Sequence, residues 1–337
     1  MTDYTLYGFE MSPYSVKVRA FMRYKGIPHQ WVVRSMDKMA EFGKVAKLPL
    51  VPCVAMPDGS GLQDSTPIME ALEARHPQPP VRIDDPVLDF LSALIEEYAD
   101  EWGNKPMFHY RWYYDDDAQS AALRIAQEMM PPGTPAGAAE QMAPSIAQRM
   151  VPRLPFVGSA RGNTAAAAVI EASYRRVLAI LEAHLATRPF LFGSRPALAD
   201  LGLYGQLKEL LSDPVPGELM RERAPRVAAF VQRMETPAAA GDGALESWSA
   251  LAPTLLPLLR EEIGARFLPW SDANAKALAA GQPSFTVQLP DGPFTQDVQK
   301  YHAKSLAEIR RKLALVKDNP ELRAVLADTG CLRWLES

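Results

Sequence analysis

The stretch that most limits what this chain can fold into is "HPQPPVRIDDP", residues 76–86. It carries four prolines in eleven residues. Proline fixes φ and donates no backbone hydrogen bond, so neither a helix nor a central strand runs through such a stretch. The chain divides here. Upstream, short strand and helix patterns alternate. Downstream, apolar residues recur almost entirely at helical spacing.

Upstream, "YTLYGF" (4–9) fits a short buried strand. "SPYSVKVRAFMRYKG" (12–26) fits a helix with Ser12 as N-cap and Pro13 at the favoured first helical position. Its stripe is Tyr14, Val18, Phe21 and Met22, and Gly26 followed by Pro28 stops it. "HQWVVR" is a second β-rich run, and "MDKMAEFGKVA" is polar and weakly helical. "LVPCVAM" reads as a strand, "PDGSG" as a turn and "LQ" as a partner strand. "DSTPIMEALEARHP" opens another helix, with Ser65 as cap and Ile68, Met69 and Leu72 inward. The order predicts one parallel strand pair across the first helix and one antiparallel pair at the turn near Asp58-Gly59.

Downstream, Asp85-Pro86 starts a helix whose stripe runs Val87, Leu91, Leu94, Ile95, Tyr98 and Trp102. Residues 131–163 are rich in Pro, Gly and Ala and read as a long loop with short helical pieces. Ile170, Tyr174, Val177, Leu181 and Leu185 mark a long helix, and Val227, Phe230, Val231 and Met234 mark another. In "SFTVQLPDGPFTQDV", alternating Phe285, Val287 and Leu289 lead into a Pro-Asp-Gly turn, which predicts a hairpin. Two helices follow, one around Leu306, Ile309 and Leu313, the other from Asn319-Pro320. The expected divisions are an α/β domain over 1–80, an all-helical domain over 85–262 and an extension over 263–337.

The whole chain has 337 residues and a net charge of -4, which gives no nucleic-acid footprint. Cys53 and Cys331 match no metal or disulfide spacing. The first residues, "MTDYTLYGFE", lack the basic and apolar regions of a secretory signal, and no apolar run is long enough to span a bilayer. The expectation is a cytoplasmic protein with no membrane or nucleic-acid partner and no metal. His109 and the run Asp115, Asp116 and Asp117 read as packing and as a solvated turn.

An α/β start, a proline-rich linker and a helical remainder resemble the glutathione transferase superfamily. Four segments carry the likeness: "SPYSVKVR", "LVPCV", "LQDSTPIMEALE" and "RPFLFGSRPALADLGLYG". The resemblance covers residues 4–235 and implies a thioredoxin-like N-terminal domain followed by an all-α C-terminal domain, usually in a homodimer. It departs from the family at Ala197, where the helical motif usually has a Ser or Thr cap three residues before its Asp, here Asp200. The Pro- and Gly-rich stretch 131–163 also enlarges the loops of the helical domain.

The resemblance implies glutathione as co-substrate and a small apolar electrophile as its partner. A free thiol is mostly protonated at neutral pH, so it needs a hydrogen-bond donor and a helix N-terminus to become a thiolate. Ser12 is the expected catalytic hydroxyl, with Tyr7 as the alternative. Ser12 also suits a plain helix cap, and these two uses of one hydroxyl compete. The family likeness also implies a cis peptide at Val51-Pro52 and backbone contacts there to the cysteinyl part. It places Asp64 and Ser65 at the γ-glutamyl end, and Lys47, or its neighbour Lys44, at the glycyl carboxylate. Both Ser12 and Ser15 stand where redox relatives carry cysteine, which disfavours dithiol exchange. Phe108 and Trp112, in the aromatic run 102–114, are the expected electrophile pocket. The alternatives are a glutathione- or ligand-binding protein without turnover, and a scaffold that keeps only the fold.

Overall fold

The computed structural model describes residues 4–336; the first three residues of the segment read for a leader lie outside it. The N-terminal part runs β1 (Tyr4–Gly8), α1 (Pro13–Tyr24), β2 (His29–Val33), α2 (Met39–Phe42), β3 (Cys53–Ala55), β4 (Gly61–Gln63) and α3 (Ser65–Arg75). Its sheet has the order β2-β1-β3-β4. β1 and β2 are parallel, whereas β1–β3 and β3–β4 are antiparallel, as the connections require. This is the thioredoxin-like arrangement.

The helical part holds α4 (Pro86–Glu101), α5 (Asn104–Tyr113), α6 (Asp115–Met129), α7 (Ala138–Met150), α8 (Thr164–His184), α9 (Leu198–Ser212), α10 (Pro214–Arg223) and α11 (Pro225–Met234). Asp85 caps α4 by accepting from the amides of Val87 and Leu88. Residues 131–163 are more regular than their composition suggests. A thirteen-residue α7 lies inside them, followed by a 3₁₀ stretch at Val151–Val157. Alanines supply much of the apolar face between α6 and α7, so the sequence stripe is faint even though the packing is close.

At α9, the carboxylate of buried Asp200 accepts from the amides of Ala197 and Leu191, at 2.9 and 2.8 Å. Only the acidic half of the capping box exists, because Ala197 has no oxygen to return. α9 reaches α1 through Gly205, where a Cβ would stand 2.6 Å from the carbonyl of Pro13.

The boundary expected at 262/263 falls inside one continuous helical run, Trp248–Ala279. That run comprises α12 (Trp248–Pro257), a π-helical stretch (Leu258–Phe267) and α13 (Leu268–Ala279). The hairpin β5 (Ser284–Leu289) and β6 (Gly292–Asp297) closes with a two-residue turn, and α14 (Lys300–Ala314), α15 (Pro320–Asp328) and α16 (Leu332–Leu335) end the chain. These elements share the main hydrophobic core with the helical part. Gln296 of β6 is buried and accepts from Lys105 Nζ of α5 and Trp270 Nε1 of α13, at 3.1 and 3.0 Å. The Lys105 ammonium lies 3.7 Å from the Trp270 ring centroid, and burial pushes its pKa well down.

The two halves meet at Lys17. It lies in the second turn of α1 and is 1% exposed. Its Nζ donates to Glu96 and Asp100 of α4 at 2.5 and 2.6 Å, and approaches Thr66 of α3 at 3.4 Å. Burial works against the ammonium, yet Asp100 and Glu96 hold its pKa above the ordinary lysine value. Replacing Lys17 by Met strands both carboxylates and destabilises the fold by roughly 3–5 kcal/mol. The loss grows as pH rises. Without the cation both carboxyls keep protons in the folded state that the unfolded chain gives up, so stability falls with increasing pH. Denaturant titrations at pH 5 and pH 8 check this; an equal loss at both would refute the assignment.

Candidate active site

The sheet register builds the site. Tyr7 of β1 pairs with Cys53 of β3, and Cys53 with Gln63 of β4. The end of β1, the start of β3 and the end of β4 therefore share one edge. From that edge leave three segments: the loop to Ser12, the cis Val51-Pro52 peptide, and Asp64-Ser65. Two helices, α1 and α3, begin there, so two sets of free backbone amides lie at the same edge.

Ser12 is half-buried and caps α1: its Oγ accepts from the Ser15 amide at 3.3 Å. The cap uses an oxygen lone pair and leaves the hydroxyl proton free to donate. The competition expected from sequence is therefore not exclusive. Ser15 is fully buried one turn below. The loop before Ser12 is tied to the helical part. Glu128 of α6 accepts from the amides of Glu10 and Met11 at 2.6 and 3.2 Å. Arg111 of α5 donates to the Met11 carbonyl at 2.9 Å, and Lys208 of α9 to the Glu10 carbonyl at 3.0 Å. Arg111 is itself held by buried Glu209 and Asp213.

Tyr7 stands differently. Its ring is 3% exposed and packs edge-on against Phe42, and its hydroxyl donates to Glu41 at 2.7 Å. Burial and that hydrogen bond push the phenol pKa well up. The Tyr7 proton is committed to a carboxylate. Cys53 is wholly buried, and burial pushes its thiol up to about 11, which leaves it inert.

Gln63 was overlooked in the sequence, where it reads as one residue of a short strand. Its Oε1 accepts from the amides of Lys47 and Leu48, at 2.7 and 2.9 Å. Its Nε2 donates to the carbonyls of Leu48 and Leu50, at 2.8 and 2.9 Å. One side chain thus fixes the approach to Val51-Pro52. Lys47 keeps an exposed side chain at that rim. Asp64 has φ 79, rare for a side chain other than glycine, and N-caps α3 by position without a side-chain cap bond. Ser65 is buried in the first turn.

The aromatic expectation needs correcting. Trp112 is 1% exposed and packs among Ala118, Ala121, Ala122, Ala126, Ile146 and Leu154, so it offers no face to a ligand. Phe108 is half-buried and packs on the same cluster as Met11, the neighbour of Ser12. The open cleft beside Met11, about 460 Å³, is lined by Glu10, Arg124, Gln127, Glu128, Lys208 and Ser212 and is charged, not aromatic. Among the described residues, no group of His, Cys, Asp or Glu is arranged to hold a metal ion, and no helix is long and apolar enough to cross a membrane.

Comparison with known families matches residues 6–80 to the glutathione S-transferase N-terminal domain and residues 162–233 to the glutathione S-transferase C-terminal domain. These two segments match the two domains of a glutathione S-transferase, in the order N-terminal then C-terminal. A comparison with curated proteins found no match. Among solved structures it is similar to a glutathione S-transferase from Methylobacterium radiotolerans JCM 2831 in complex with glutathione sulfonate. That likeness has 21% identity and a TM-score of 0.42, over 71% of this chain and 97% of that one. It is similar to the β-etherase LigF from Sphingobium sp. strain SYK-6 at 20% identity and a TM-score of 0.44, over 69% and 95%. It is similar to FzlA from C. crescentus at 18% identity and a TM-score of 0.45, over 69% and 88%. The likeness to that superfamily rests on the two domain matches.

Replacing Gln63 by Ala removes four hydrogen bonds from the loop before the cis peptide. The amides of Lys47 and Leu48 should then exchange with solvent about tenfold faster or more, while those of β1 stay protected. Hydrogen exchange read by mass spectrometry checks this. Unchanged exchange at 47–48 would mean that the loop is held by something else.

Proposed function

We infer that this chain binds glutathione at the shared sheet edge and activates its thiol for attack on a small apolar electrophile. One observation carries the reading. The register Tyr7–Cys53–Gln63 gathers Ser12, Val51-Pro52 and Asp64-Ser65 at one edge with two helix N-termini. Ser12 donates its free hydroxyl proton to the glutathione sulfur, and the first turn of α1 adds partial positive charge. The backbone at Val51-Pro52 pairs with the cysteinyl unit. Ser65 and the α3 amides take the γ-glutamyl carboxylate, Asp64 takes the ammonium, and Lys47 takes the glycyl carboxylate. The thiolate then forms a bond from sulfur to the electrophilic carbon, the leaving group departs as an anion, and the thiol proton passes to solvent. Phe108 and Met11 form the apolar side of that reaction space.

The charged cleft beside Met11 favours a second reading, a glutathione- or ligand-binding protein without turnover. Conjugation of a chloronitrobenzene separates the two. Ser12→Ala is expected to lower kcat/KM by about tenfold or more, the effect of moving the thiol pKa by one unit. Tyr7→Phe should stay close to the parent, because the Tyr7 proton already serves Glu41. Loss of activity in Tyr7→Phe with full activity in Ser12→Ala would reverse the assignment. Glutathione binding with no conjugation would favour the second reading.

A further inference from the structure

The C-terminal segment reaches the γ-glutamyl end of the proposed site. Tyr301, in the first turn of α14, donates its hydroxyl to Asp64 Oδ2 at 2.6 Å. The two residues are 237 positions apart. Asp64 is an unusual place for such a contact to be incidental. Its backbone sits at φ 79 and its side chain does not cap the helix it precedes. The carboxylate is turned outward, and the hydroxyl that meets it belongs to neither the sheet nor α3.

Tyr301 is not carried by a loose tail. The chain enters α14 through Gln299, locked to buried Asn274 by a reciprocal pair. The Gln299 amide donates to Asn274 Oδ1 at 2.7 Å, and Asn274 Nδ2 donates to the Gln299 carbonyl at 2.9 Å. Leu306, Ile309 and Leu313 are buried along the same helix. Ser305 donates to Glu101 of α4 at 3.2 Å, His302 contacts the same carboxylate, and Lys312 donates to Glu70 of α3 at 2.9 Å. The helix is thus clamped to both α3 and α4, and its first turn is held over Asp64. Tyr301 itself stays 52% exposed, as a residue on the rim of a site would.

We propose that Tyr301 is a positioning residue for glutathione: it fixes the Asp64 carboxylate by one oxygen and leaves the other to receive the γ-glutamyl ammonium. The inference rests on the proposed glutathione site and deepens it. It makes residues 299–313 a wall of that site, built from the same chain. A carboxylate offers about four acceptor positions, so a donated phenol and an ammonium share it without conflict.

The test is calorimetric titration of the full chain and its Tyr301→Phe variant with two ligands, glutathione and N-acetylglutathione. In the second an uncharged acetamide replaces the ammonium, and the rest of the tripeptide is kept. Tyr301→Phe should weaken glutathione binding by about tenfold, the scale of one hydrogen bond to a charged group, and leave N-acetylglutathione unchanged. In an Asp64→Asn background the same change should have no further effect. Equal weakening of both ligands, or no weakening of either, overturns the proposal. Tighter glutathione binding also overturns it, because Tyr301 would then be a plug. If the intact chain binds no glutathione, both this inference and the proposed function fall. If it binds and the variant matches it, only this inference does.

Discussion

The structure depends on a buried lysine. Lys17 joins α1, which begins at Ser12, to α3, which begins beside Asp64, and to α4, the first helix of the second half. An ion this deep is tolerated only because Glu96 and Asp100 both reach it. The arrangement is directional in a way an apolar contact is not, because it sets the rotation of α1 and α3 about their axes. The two helix N-termini at the sheet edge keep their mutual placement for that reason. Gly205 adds a second constraint, since α9 touches the first turn of α1 only where a side chain is missing.

The C-terminal segment obeys the same logic. Its apolar residues belong to the same main cluster as those of the helical part. It enters the helical core through the continuous run Trp248–Ala279 and the hairpin. Lys105 is the cost of that insertion. Its amine is buried with a glutamine and two indole rings as company, and burial pushes its pKa well down. The π-helical stretch before α13 brings Gly264 so close to the C-terminal turn that a Cβ would stand 2.2 Å from the Thr329 carbonyl. Such close approach leaves no room for a side chain at position 264.

Much of this was legible in the sequence where the signal is local. Ser12-Pro13, Asp85-Pro86 and the Pro-Asp turn at 290–291 mark their own elements, because caps and turns are decided within four residues. The helical stripes were legible as well. The rest was not. α7 was hidden because alanines make a close helix contact without a strong apolar pattern. Trp112 was misread as a pocket wall, because an aromatic run does not say which face of its helix is covered, and α6 and α7 cover it. Lys17 carries no signal of its own between Val16 and Val18; its burial comes from α3 and α4, which lie far along the chain. Gln63 and Tyr301 act through partners at 13–16 and 237 positions' distance, and no spacing rule reaches that far.

The site also has to satisfy opposite electrostatic demands. In the proposed glutathione site, a thiolate at Ser12 would need positive potential, and an ammonium at Asp64 would need negative potential. The chain separates them by placing α1's amides at one end and a group of acids at the other. Asp64, Glu97 and Asp100 all add to the negative field felt by Tyr301. Left fully ionised, that group would oppose the thiolate as well. Burial, Glu96 and Asp100 push Glu97 up to about 8, and burial raises Asp100 against the pull of Lys17. Glu97 therefore holds part of that acidity as neutral carboxyl near neutral pH, while Asp64 lies at the rim. The buried acids set the depth of the negative field, and Lys17, on the helix that begins at Ser12, meets Glu96 and Asp100.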